Sequence, residues 1–214
     1  MRLQNIVLSL TVCAGLFATE KTIQLPQPDT KGGKPLMEAI TLRRTNRAYT
    51  GATISRQDLS DILYAAWGVN ATDPRVLHTI PTAMNAQDPV IYVALPEGAY
   101  KYIPENNTLE LVLAEDIRTR LDRRGTDMFA KSAAVVLIAS NLDKLKRVQD
   151  KGVQIQFAHM HAGCISQDIY LVCAAKGLGT CVVYGINKEN ATTLLKLPEN
   201  TIPLYGQPIG VMAK

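Results

Sequence analysis

The stretch from about Val153 to Lys176 constrains this chain most. Phe157, His161, Cys164, Ile165, Ile169, Leu171, Val172 and Ala175 put apolar side chains on nearly every face of a long helix. A helix that is apolar almost all round has to be covered on several sides. His159 and His161 lie within it and invite a metal reading, but residues two apart on a helix point about 200° away from each other. They cannot chelate one ion together, and core or interface histidines are expected instead. No metal site and no catalytic side chain is assigned from the sequence.

The rest of the chain has to wrap that helix. At 214 residues, 47% hydrophobic and 20% charged, it suits one domain with a sizeable core. A net charge of +4 suits a small anionic ligand and falls short of a nucleic-acid footprint, so no nucleic-acid partner is expected. Residues 1–18 read as a signal peptide, with a short basic start and an apolar run from Ile6 to Ala18. This implies export, to the periplasm or cell envelope of a bacterium. Leu10-Thr11-Val12-Cys13 resembles a lipoprotein box, which leaves a lipid anchor at Cys13 open. Residues 19–34 are rich in Pro, Gly and polar residues and read as an extended linker or arm, with the folded domain at 35–214. Cys164, Cys173 and Cys181 sit in apolar surroundings and read as small buried hydrophobes.

Within the domain, Pro35 opens a first helix that ends in the basic cluster. Ser55, with Asp58 three residues on, caps a second helix that carries Trp67 into the core and stops at Gly68. Val90–Leu95, Ala99–Ile103 and Thr108–Leu111 form an antiparallel meander. A charged helix follows over about Ala114 to Arg123, and Ala133–Ala139 is an apolar, central strand. A short helix from about Leu142 precedes the long one, another spans about Lys188 to Leu195, and Ile202–Val211 is the last strand, with Pro203 and Pro208 marking edges or bulges.

Three segments carry candidate chemistry. Arg43, Arg44 and Arg47 surround Thr45, and planar guanidinium forks suit phosphate oxygens and carbonyl edges. The same cluster would also suit a solvated basic helix end, where the dipole favours cations. Thr79–Pro89 is a proline-bracketed loop whose Asn85 and Gln87 amides can read a heterocycle edge. Gly177-Leu178-Gly179 lets the chain leave the long helix with positive φ and a close backbone approach.

Together these residues carry a resemblance. Arg43-Arg44-Thr45-Asn46-Arg47 resembles the R-R-[ST]-x-[RK] opening of the nitroreductase-like flavoproteins, and Pro81-Thr82-Ala83-Met84-Asn85-Ala86-Gln87 resembles their P-[ST]-[AS]-x-N-x-Q loop. Ala162-Gly163 with Gln167, then Gly177-Leu178-Gly179-Thr180-Cys181, looks like the long helix and its G-L-G-[TA]-C exit. Gln207-Pro208-Ile209-Gly210 looks like the late V-P-[IV]-G strand. Order and spacing hold from about Met37 to Gly210, and the meander and short length look most like the SagB-type branch.

The resemblance implies an α+β fold with a central, mostly antiparallel sheet flanked by helices, and a long buried helix that also makes a homodimer. It implies one FMN in each of two interface pockets and two-electron ping-pong hydride transfer through flavin N5, acting on a small-molecule substrate. Carried over, Arg43, Arg44, Thr45 and Arg47 would hold the FMN phosphate, ribityl chain and pyrimidine edge. Pro81, Thr82, Ala83 and Asn85 would reach the flavin from the other subunit. Val183, Tyr184 and Gly185 would lie along it near N5, with Tyr184 where the family often has an acid. The family's longer tail brings a basic phosphate contact; here the tail stops at Lys214, and either Lys214 supplies that contact or phosphate binding is weaker. NAD(P)H is the family's usual electron donor, at odds with an exported location. The alternative is an exported, non-enzymatic domain that binds FMN or another anionic ligand.

Overall fold

The computed structural model describes residues 20–70 and 77–214, so the expected leader and Cys13 lie outside the described residues. An edge strand β1 (Thr22–Gln24) precedes helices α1 (Leu36–Leu42) and α2 (Arg56–Trp67). An antiparallel pair, β2 (Val69–Asn70) and β3 (Leu77–His78), leads to the meander β4 (Pro89–Leu95), β5 (Gly98–Ile103) and β6 (Thr108–Leu113). Two short helices, α3 (Arg118–Leu121) and α4 (Asp127–Ala130), come before β7 (Ala134–Asn141). The long helix α5 (Lys151–Lys176), β8 (Leu178–Thr180), α6 (Lys188–Leu194) and β9 (Thr201–Val211) complete the order.

Seven strands make one antiparallel sheet in the order β1-β6-β5-β4-β7-β9-β8. Successive strand residues face opposite sides. Val136 and Ile138 therefore pack under α2 and α5, while Val135, Leu137 and Ala139 pack against Ile117, Leu121, Phe129 and Ala191 on the other face. That is why β7 reads as an unbroken apolar run: helices cover both of its faces. The α+β expectation holds, with the sheet between α1, α2 and α5 on one side and α3, α4 and α6 on the other.

Local chemistry sets the helix ends. The Ser55 hydroxyl accepts the Asp58 N–H at 3.0 Å and donates to its carboxylate at 2.7 Å, closing the expected box at the start of α2. Trp67 is buried and stacks on His78 with ring centroids 3.9 Å apart. Asp150 accepts the Val153 N–H to start α5, and Gly177 at φ +70 ends it in the left-handed conformation. Cys173 and Cys181 are buried thiols, but Cys164 is only half-buried.

Several expectations need correction. The segment read as a linker is built into the fold. β1 pairs with β6, Ile23 and Leu25 are buried, and the Asp29 N–H donates to Asp61 at 2.8 Å. The charged helix expected over 114–123 shrinks to α3, because Asp116 accepts both the Arg118 N–H at 3.0 Å and its guanidinium at 2.6 Å. That local bonding competes with helix. Arg118 is itself buried and donates to the Ser132 carbonyl. β9 is no edge strand: it pairs with β7 on one side and β8 on the other, and Pro203 sits beside a register shift against β7.

Not every apolar surface is covered within one chain. In α1 only Ala39 is buried, while Leu36 is 63% and Met37 70% exposed, with Ile40 and Leu42 also open. On α5, Gln156, Met160, Gly163 and Gln167 form an exposed stripe at helical spacing. The long helix is thus buried on most sides, and open along one.

Candidate functional site

Tyr170, far along α5, organises the basic cluster. Its hydroxyl accepts the Val182 N–H at 3.0 Å and lies 3.1 Å from the Thr45 hydroxyl. With its oxygen taken by Val182, the phenol hydrogen is available to Thr45, which leaves the Thr45 hydrogen free to donate elsewhere. The Arg43 guanidinium lies over the same ring, 5.4 Å from its centroid. Asn46 N–H donates to the Thr180 carbonyl at 3.0 Å, so residues 43–47 run alongside the end of β8. Gly179 makes that approach possible: a Cβ there would sit 2.8 Å from Met212 Cγ and 3.0 Å from Asn46 Oδ1.

The arginines do different things. Arg44 turns back and donates to the Thr41 and Arg43 carbonyls at 3.2 and 2.8 Å, capping α1. Arg43 and Arg47 have no carboxylate partner among the described residues. Lys214 joins them through the C-terminal strand, where Tyr49 bridges Met212 and the Ala213 N–H donates to the Ala48 carbonyl at 3.0 Å. Lys214 follows directly on Ala213 as Arg47 precedes Ala48, which brings the two backbones to the same end. Beneath them Tyr49 is buried and donates to the Asn46 and Pro208 carbonyls at 2.8 and 3.2 Å, and burial pushes its phenol far up.

A wall rises beside this cluster. Val183 and Gly206 exchange two backbone hydrogen bonds, at 2.7 and 3.0 Å, which fixes the turn into Tyr184 and Gly185. Tyr184 is 63% exposed and faces His159 and Tyr205, with ring centroids 6.0 and 6.2 Å away. His159 Nδ1 lies 3.0 Å from the Tyr205 hydroxyl, and the Lys188 ammonium sits 4.8 Å above the Tyr184 ring. Burial, then Lys188, hold the His159 imidazole below its ordinary value. Burial, then Tyr184, push the Tyr205 phenol up. Gly163, Gln167, Tyr170, Val182, Tyr184 and Tyr205 line a cleft of about 460 Å³ between wall and helix, a volume in the range of small-ligand pockets. Gly163 leaves its floor open.

The second predicted segment lies elsewhere. Thr82 accepts the Gln87 N–H at 3.0 Å, and Ala83–Asn85 form a 3-10 turn with Asn85 exposed at its tip. The turn is tied to α5 by the Ala83 N–H, which donates to His161 Nε2 at 2.8 Å. His161 and Tyr170 are nine residues apart, two and a half turns, so they project from opposite sides of the helix and about 13 Å apart along it. Within one chain, Arg43, Thr45, Val183, Tyr184, Gly185 and Lys214 share one end of the molecule, and Pro81, Thr82, Ala83 and Asn85 do not join them. His161 is a core histidine, as expected, whereas His159 is half-buried against Tyr184 and Tyr205, and the described residues hold no cluster fit for a metal ion.

Sequence reasoning missed Tyr170, Tyr205 and the His161–Ala83 bond. A polar-tipped aromatic in an otherwise apolar helix was the available signal for Tyr170. For the rest only tertiary contact brings the partners together.

An isoalloxazine with a phosphate tail requires an apolar wall, a donor for its polyol and uncompensated cations near one end. The cleft, Thr45 beside it and the Arg43 guanidinium over the Tyr170 ring, with no acidic partner among the described residues, supply these together, so the residues present fit such a group. The profile of the Nitroreductase family matches residues 40–211. A protein of Methanocaldococcus jannaschii named as a nitroreductase, MJ1384, is 34% identical over 198 residues, 88% of this chain and 96% of that one. A crystal structure of a Ralstonia eutropha protein, likewise named as a nitroreductase, superimposes with a TM-score of 0.83 at 30% identity, covering 92% of this chain and 91% of that chain. The NADPH:FMN oxidoreductase of Vibrio harveyi, solved with NAD+, shares the fold at a TM-score of 0.62 and 17% identity, covering 84% of this chain and 69% of that chain.

Proposed function

The chain belongs to the nitroreductase family of oxidoreductases, and from that premise we propose that it binds FMN at the cleft beside Tyr170 and works as a homodimer. One observation carries the reading. Arg43, without an acidic partner among the described residues, lies over Tyr170, whose hydroxyl meets both Thr45 and Val182 beside a single open cleft. Unpaired cations held in such order by packing suit an anionic ligand.

In this reading Arg43, Arg47 and Lys214 hold the phosphate, and Arg44, with one nitrogen already capping α1, adds charge. Thr45 donates to the ribityl chain, and Val183, Tyr184 and Gly185 exclude water from one edge of the ring. When bound, the flavin supplies two-electron hydride chemistry at N5 in a ping-pong cycle, so no catalytic side chain is needed for that step. Pro81, Thr82, Ala83 and Asn85 act on the cleft of a second copy, since in their own chain α5 stands between. The exposed apolar residues Leu36, Met37, Ile40 and Leu42 of α1, with Met160 on α5, support that pairing, because exposed apolar side chains grouped in this way mark interaction surfaces.

The acceptor is a small organic molecule admitted past Tyr184. The name of the Vibrio relative supports a nicotinamide donor, whereas an exported location, read from residues 1–18, favours another. Purification without denaturant followed by a visible absorption spectrum tests the proposal. A flavin spectrum, bleached on addition of NADPH or dithionite, is the expected result. Colourless protein that takes up no added FMN overturns it. A bound flavin that no donor reduces would favour a binding role instead.

A further inference from the structure

We propose that His161 is a positioning residue, a buried strut that sets the 82–87 loop from inside the core. Nothing in the reaction requires this histidine, and its side chain and that of Asp88 are both fully buried. The inference rests on the reading above, in which the loop touches a flavin held by the other copy.

The geometry fixes the roles. His161 Nε2 accepts the Ala83 N–H at 2.8 Å, so that nitrogen carries no hydrogen. In the neutral ring the hydrogen is then on Nδ1, which lies 2.7 Å from Asp88 Oδ1, close but off the line of a good hydrogen bond. The other oxygen of Asp88 accepts the Ser140 hydroxyl at 2.6 Å, and its backbone carbonyl accepts the Asn141 N–H at 2.9 Å. A rod of polar contacts thus runs from the end of β7 through Asp88 and His161 to the loop. The Asp88 carboxylate beside Nδ1 is compatible with a hydrogen on that nitrogen, and the bond from Ala83 requires the Nε2 lone pair to face the loop.

Two features argue that this rod is built for the loop. A buried carboxylate and imidazole are expensive compared with apolar side chains of the same volume, so their value lies in what they order. And the loop needs ordering: Met84, Asn85 and Gln87 all have φ between 52° and 55°, a conformation that L side chains rarely adopt. The Thr82 hydroxyl closes the turn from within, and His161 ties it to the body of the protein, against which Ala86 also packs. Because His161 belongs to α5, whose open stripe is the proposed dimer face, one helix orients both a chain's own cleft and the loop it lends to its partner.

Two variants separate this role from mere packing. Ala83→Pro removes the donated N–H, and because Ala83 is itself read as touching the flavin, its loss of affinity counts only together with faster exchange. Thr82, at φ −126° and ψ 148°, already has the extended backbone that precedes proline. His161→Gln keeps an acceptor within reach of Ala83. The measurements are amide hydrogen exchange at Asn85 and Gln87, FMN affinity by titration, dimer state and melting temperature. For Ala83→Pro we expect exchange to quicken about tenfold and FMN to bind roughly fivefold to tenfold more weakly, the equivalent of one lost hydrogen bond. Dimer state should stay as in wild type, the melting temperature should fall by about 2–4 °C as for one lost bond, and His161→Gln should fall between the two proteins. Exchange and affinity within about twofold of wild type in Ala83→Pro overturn the proposal, as does faster exchange with unchanged affinity. Wild-type protein that takes up no FMN overturns the flavin reading instead; the exchange rates then still decide whether His161 holds the loop.

Discussion

Replacing Tyr170 with Phe removes a single oxygen and should loosen three segments. That oxygen accepts the Val182 N–H and meets the Thr45 hydroxyl, while the ring beneath Arg43 stays in place. A neutral hydrogen bond is worth about 1 kcal/mol net, so two lost bonds come to about 2 kcal/mol, part of which water recovers at the half-buried Val182 N–H. For a domain of this size each kcal/mol shifts the melting temperature by about 2–4 °C, so a fall of up to about 4–8 °C is expected. The same slack should weaken FMN, because Thr45 and the strand end would no longer be held in register before binding. Differential scanning calorimetry on flavin-free protein and fluorescence titration with FMN measure the two effects. A Tyr170→Phe protein that melts with wild type and binds FMN equally well would refute the reasoning that Tyr170 staples the site.

The remaining predictions concern charge, close approach and acid. Arg43→Gln should weaken FMN by roughly tenfold, as expected for a charge-assisted bond, while riboflavin, which lacks the phosphate, binds as before; equal losses for both ligands would remove Arg43 from the phosphate. Gly179→Ala should destabilise by about 1–3 kcal/mol in chemical denaturation, since the new methyl meets Met212 and Asn46 at 3.0 Å or less; unchanged stability would show that the tail moves aside freely. Burial alone would raise the Asp58 carboxyl, but the Ser55 hydroxyl and Lys176 outweigh it and hold it below its ordinary 3.8. A lowered carboxylate stabilises the fold above the unfolded value, and that contribution is lost as pH falls through the folded value. Lys176→Met should therefore flatten the stability profile below about pH 4. A profile parallel to wild type would take Lys176 out of the acid response.

Much of the fold was legible because it depends on local pattern. The Ser55 box, the apolar run of β7 and the Gly177 stop each declare themselves within a few residues, and each formed as read. The 20–34 arm misled because its prolines and glycines describe local stiffness. Whether such a segment floats or docks depends on Asn107, Ser60 and Asp61, which are distant in sequence and bond it in place. The candidate site was legible as segments and illegible as an assembly. Nothing in the order of residues says that Tyr170 joins Thr45 to Val182, or that Arg44 faces its own helix.

The half-integral number of turns between His161 and Tyr170 carries a genetic consequence. In the proposed dimer each pocket draws its arginines from one polypeptide and its asparagine loop from the other. A strain making only Arg43→Gln chains and another making only Ala83→Pro chains should both be impaired, yet co-expressed they would form mixed pairs with one pocket whole and the other doubly damaged. Rescue of that kind, between two broken alleles of one gene, is what a shared pocket predicts and a self-contained one forbids.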